Sequence, residues 1–136
     1  MVKQIIKDRF FLRQKSEEAT EKDREIITDL RDTLTANEDR CIGMAANMIG
    51  KLKRIIVVAL PFGPMVMINP EILVKSEPYE TEEGCLSLDG VRKTMRYKKI
   101  VVRYQDENFK DTLQEFSGMV AQTIQHECDH LDGVII

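Results

Sequence analysis

The chain contains only two histidines, His126 and His130, and they sit four residues apart in the run His126-Glu127-Cys128-Asp129-His130. Around them Met119, Val120, Thr123, Ile124 and Leu131 recur with helical spacing, and Gly133 follows as a stop signal. The spacing predicts a helix from Gly118 to about Leu131. At about 100° per residue, positions four apart differ by only about 40°, so both imidazoles face one side and can hold one divalent cation. Glu127 lies about 100° round from His126, close enough to reach a metal-associated water without being a ligand itself. Cys128 lies about 200° round and reads as a packed thiol. A chain built on this helix must bring another segment across to complete the site.

A catalytic divalent site usually has three protein ligands and one open position. With no further histidine, the third ligand falls to a Cys, Asp or Glu. Asp132 is the only acid after His130, so an upstream residue is the better expectation. Cys85, in Glu82-Glu83-Gly84-Cys85-Leu86-Ser87, leads: it follows a glycine in a polar, turn-rich segment, and thiolate is a strong ligand. Cys41 is the competitor, its other reading being a small buried residue.

Three cysteines, an odd number with no export signal before them, argue against a disulfide framework. Twenty basic and 23 acidic residues leave a formal charge of −3, so bulk charge gives no pull toward nucleic acid. Apolar stretches such as Ile55 to Leu60 are too short to span a bilayer, and the start, Met1-Val-Lys-Gln-Ile-Ile-Lys, lacks a signal-peptide core. The expectation is a cytoplasmic protein without a membrane partner. At 136 residues, residues 1–136 suit a single domain able to bury its own core.

Ile26, Ile27, Leu30 and Leu34 mark an amphipathic helix over about residues 17–36, with Thr20 and Asp23 as a start signal. Small residues bounded by glycine, Gly43 to Gly50, suggest close backbone approach. Arg54–Leu60 and Met65–Asn69 read as strands joined across Pro61-Phe62-Gly63-Pro64. Glu71–Lys75, Lys99–Tyr104 and Thr112–Phe116 read as further strands, the last two separated by Asp106-Glu107-Asn108. Helix, strands, then helix, without βαβ alternation, predicts an α+β fold. Mostly antiparallel β-sheets pack around the C-terminal H-E-x-x-H helix, with an amphipathic helix near the N-terminus.

Three segments together resemble the peptide deformylases: Cys41-Ile42-Gly43-Met44-Ala45-Ala46-Asn47-Met48, Glu83-Gly84-Cys85-Leu86-Ser87, and His126-Glu127-Cys128-Asp129-His130-Leu131. The resemblance covers most of the chain. It implies a hydrolase that removes the formyl group from N-terminal formyl-methionine of newly made bacterial or organellar proteins, releasing formate. It implies Cys85, His126 and His130 as ligands of a labile ferrous ion, replaceable by zinc, nickel or cobalt. Glu127 becomes the general acid/base, and the backbone N–H of Leu86 a donor to the tetrahedral oxyanion. The segment holding Gly43, Met44, Ala45 and Met48 would pair with the substrate backbone as an added strand, and Arg92 would lie near the peptide. The partners implied are N-formylmethionyl peptides or nascent chains, with transient ribosome contact.

The first segment departs from the family pattern, Gly-x-Gly-Leu-Ala-Ala-x-Gln, at two places. Cys41 stands where the family has glycine, and Met48 where it has glutamine. The family's glutamine donates an amide N–H to the formyl oxygen, and a thioether cannot donate. Loss of such a donor typically costs about 10²–10³ in rate. The alternative expectation is therefore a weakly active or inactive deformylase-like protein that binds metal and peptide. Asn47 carries an amide, but in an extended segment it points to the opposite face. A zinc endopeptidase is a third reading, disfavoured by the Glu-Gly-Cys-Leu-Ser context.

Overall fold

The computed structural model describes all of residues 1–136. Its elements are α1 (Arg9–Leu12), a 3₁₀ turn (Glu21–Asp23), α2 (Arg24–Ala36), β1 (Gly43–Ala45), a second 3₁₀ turn (Ala46–Ile49), β2 (Ile55–Leu60), β3 (Gly63–Cys85), β4 (Leu88–Gln105), β5 (Asp111–Ser117) and α3 (Gly118–Leu131). The five strands form one antiparallel ladder in the order β1-β2-β3-β4-β5. The α+β expectation holds.

Thr20 and Asp23 cap reciprocally the 3₁₀ turn Glu21–Asp23 that leads into α2: Asp23 Oδ2 accepts from Thr20 N–H at 2.8 Å, and Thr20 Oγ1 from Lys22 N–H at 3.3 Å. The helix begins later than residue 17 because the preceding backbone is used elsewhere. Glu17 exchanges hydrogen bonds with Leu52 and Arg54, and the side chain of Asn69 bonds both main-chain groups of Ala19. A helix over 17–19 would have to give up those partners.

The run Ile55-Ile56-Val57-Val58 is buried on both faces, which explains its lack of alternation. Ile55 and Val57, with Val66 and Ile68 of β3, pack on Ile26, Ile27, Leu30 and Leu34 of α2. Ile56, Val58 and Met67 pack on the other side against Ala121, Ile124, Cys128 and Leu131 of α3. The strands β4 and β5 complete that second core with Ile100, Val102 and Phe116. The sheet thus holds α2 on one face and wraps α3 on the other.

The strands expected at Met65–Asn69 and Glu71–Lys75 are parts of one strand, β3. Pro70 lies at a register shift between Ile68 and Glu71, where Asn69 adopts φ +52°, and the ladder resumes beyond it. The hairpin then runs on through residues 76–98, a stretch the hydrophobic pattern does not reveal. Only Glu83, Ser87, Leu88 and Arg96 are buried there, so no apolar period marks it. Opposite charges face each other across it at Glu82–Lys93 and Glu83–Arg92. Its tip, Cys85-Leu86-Ser87-Leu88, reaches α3.

Candidate active site and metal centre

His126 and His130 project from the same side of α3, with their Nε2 atoms 3.0 Å apart. Cys85, the last residue of β3, brings its Sγ to 3.4 Å from His130 Nε2, and the three donor atoms all lie within 4.8 Å of one another. Tetrahedral ligands at about 2.3 Å for sulfur and 2.0–2.1 Å for imidazole nitrogen are separated by about 3.3–3.6 Å, so this set fits a divalent cation with little adjustment. The two competitors fall away. Cys41 Sγ donates instead to the carbonyl of Gly43 at 2.8 Å, and Asp132 pairs with Arg54 at 3.0 Å near the surface.

Behind the imidazoles lies a buried polar network that the sequence reading assigned no part. Glu83 stands two residues before Cys85, hence on the same face of β3, and its Oε1 meets His126 Nδ1 at 2.8 Å. Arg96 holds Glu83 through two nitrogens, at 2.7 Å and 3.0 Å, and donates to Asp129 Oδ2 at 2.7 Å. Gln122 adds a bond to Glu83 at 2.9 Å. Burial works against the Glu83 charge, but hydrogen bonds from His126, Arg96 and Gln122 outweigh it and lower its pKa to about 2. An anion there holds the proton on His126 Nδ1 and leaves Nε2 free to coordinate. The spacing of Glu83 and Cys85 on a strand was a usable signal; Arg96, eleven residues beyond Cys85, offered none.

Glu127 is 4% exposed, lines the cleft, and has one carboxylate oxygen, Oε1, without a hydrogen-bond partner. Burial raises its pKa to about 7. Such a group can both take and return a proton near neutrality. Gly43 of β1 lies directly against it: a Cβ there would come within 2.5 Å of Thr123 Cγ2 and 3.2 Å of Glu127 Oε2. The glycine is what lets β1 pass so close to α3.

The cleft has a volume of about 620 Å³, with Cys41, Ile42, Gly43 and Met48 on one wall and the Glu82–Leu86 hairpin tip opposite. Leu88 and Met119 add apolar surface. Met48 lines the cleft, but its Sδ accepts the N–H of Ala45 at 3.5 Å. The side chains of Met44 and Ala45 are fully buried in the two cores, so only their backbone can serve the cleft. Asn47 is turned away because residues 46–49 form a 3₁₀ turn rather than an extended strand. Its Nδ2 donates to the carbonyl of His130 at 2.9 Å. Arg92 lies outside the cleft lining and bonds the carbonyl of Asp89 at 3.3 Å. Leu86 occupies the turn between β3 and β4 and lines the cleft. Cys128 packs in the α3 core, facing away from the ligand cluster.

The polypeptide deformylase family model matches residues 2–136. A peptide deformylase of Clostridium beijerinckii is 57% identical over 136 residues, covering all of both chains. One of Chlorobaculum parvum is 40% identical over 82% of this chain and 63% of its own. The crystal structure of a peptide deformylase from Ehrlichia chaffeensis superposes with a TM-score of 0.89, at 32% identity over 99% of this chain and 86% of that one. Ligand geometry, fold and sequence therefore agree: the chain belongs to the peptide deformylase family.

Proposed function

We propose that this chain hydrolyses the formamide bond of N-formylmethionyl peptides, yielding formate and a free amino terminus. The observation that carries this is the convergence of Cys85, His126 and His130 beside the buried carboxyl of Glu127, under an open strand edge. A divalent cation held by those three atoms would supply Lewis acidity, lowering the pKa of water from 15.7 to about 7.

The chain's own groups do the rest. Glu127, buried beside the ligand cluster and with Oε1 unpartnered, takes a proton from the attacking water and returns one to the departing amine. Glu83, fixed by Arg96, holds the His126 ring in its coordinating orientation. The Leu86 backbone N–H, in the hairpin turn at the cleft, is the donor for the developing oxyanion. Met48 cannot add a second, having only an acceptor sulfur. The edge of β1 receives the peptide backbone as an added strand, and Met119 and Leu88 offer apolar surface to the methionine side chain.

Thiolate and imidazole donors suit iron, zinc, nickel and cobalt; ferrous iron is our reading for the cell, where the substrates are nascent chains in the cytoplasm. No helix is long and apolar enough to cross a membrane. The weakly active reading rested on Met48 alone, and the ligand set and Glu127 are intact. An anaerobically iron-loaded sample should release formate from formyl-Met-Ala-Ser, and metal analysis of anaerobically purified protein identifies the ion. Release no greater than that of a Glu127→Ala control would overturn the reading.

A further inference from the structure

Both departures from the family's first motif place sulfur on the same strand edge. The N–H of Ala59 donates to the carbonyl of Ile42 at 2.8 Å, and the ladder then pairs Gly43 with Val58, Met44 with Val57 and Ala45 with Ile56. Antiparallel alternation therefore turns the N–H and C=O of Gly43 and Ala45 away from β2. Since β1 is outermost in the sheet, no strand meets them there. The Gly43 carbonyl accepts the Cys41 S–H at 2.8 Å, and the Ala45 N–H donates to Met48 Sδ at 3.5 Å. Cys41, Gly43 and Met48 all line the cleft.

We propose that Cys41 is a positioning residue that competes with the incoming peptide for the Gly43 carbonyl, so that strand pairing requires its S–H to be displaced. This rests on the reading that the cleft accepts a formylated peptide. A thiol is a weak donor, and a peptide N–H can replace it, but the exchange subtracts from the binding gained. Burial raises the Cys41 pKa to about 12, so the group remains a donor throughout the physiological range. A glycine at position 41 would leave the carbonyl free.

The test compares Cys41→Ala, which removes the donor, with Cys41→Ser, which substitutes a stronger one. With iron-loaded protein, Cys41→Ala should lower KM for formyl-Met-Ala-Ser about threefold to tenfold, with kcat changing less than about twofold. Calorimetry should show tighter binding of the product peptide Met-Ala-Ser. Cys41→Ser should shift KM and affinity the other way. N-methylating the peptide amides one at a time should abolish the Ala gain at one position. The inference fails if Cys41→Ala matches wild type, if both variants move KM in one direction, or if the gain survives every methylation. Because calorimetry needs no turnover, absent formate release with the affinity order intact would sink only the deformylase reading.

Discussion

The two walls of the cleft are built differently. On the α3 side the groups behind His126 fix one another: Glu83 orients His126, Arg96 and Gln122 hold Glu83, and Asp129 anchors Arg96. Glu127 Oε1, buried without a hydrogen-bond partner, belongs to the residue we propose as the proton shuttle. On the β1 side two of the backbone groups turned away from β2, the Gly43 carbonyl and the Ala45 N–H, are met by sulfur, from Cys41 and Met48. The first wall is preorganised for chemistry. The second is covered by weak bonds that are easily exchanged, as suits a surface that must open to a peptide.

That contrast is broken most directly at Glu127. Glu127→Gln should cut formate release by about 10²–10⁴ while metal content stays near one per chain; a small loss would mean the proton moves elsewhere. The β1 wall gives the next largest effect. Free cysteine has a pKa of about 8.5, whereas Cys41 is raised to about 12, so at pH 8 its thiolate fraction is lower by about 10³. Its alkylation by iodoacetamide, followed by mass spectrometry, should be slower by that factor and climb about tenfold per pH unit. The sign follows from a raised acid pKa: the neutral thiol dominates until the pH approaches 12.

Met48→Gln should restore an amide donor to the same wall. Formate release should rise by up to about 10²–10³, and an unchanged rate would show that Leu86 and the metal site suffice. The smallest effect lies behind the α3 wall. Glu83→Gln should weaken metal affinity by about 10–100-fold, measured by competition with a chelator. Loss of activity without loss of affinity would place Glu83 in the proton path instead.

Part of this site was legible beforehand because its signals are local. Helical spacing put His126 and His130 on one face, and the Glu-Gly-Cys segment nominated Cys85. The same reasoning read Cys128 as a packed thiol, and Cys128 lies in the α3 core. It missed the distal half of the β3–β4 hairpin because the residues buried there include the polar pair Glu83 and Arg96, so no hydrophobic period exists to detect. It weighed against Asn47 on extended-strand geometry, whereas a 3₁₀ turn aims its amide at the His130 carbonyl.

The sequence by itself marked the helices α2 and α3, the strand β2 and the placement of His126 and His130 on one helix face, because each is written in spacings of four residues or fewer. Tertiary structure decided which cysteine comes beside the two imidazoles, which anion meets His126, and why residue 43 is glycine. Those outcomes depend on how far a bulged hairpin reaches and how closely β1 passes α3, distances set by pairing and packing between segments remote in the chain.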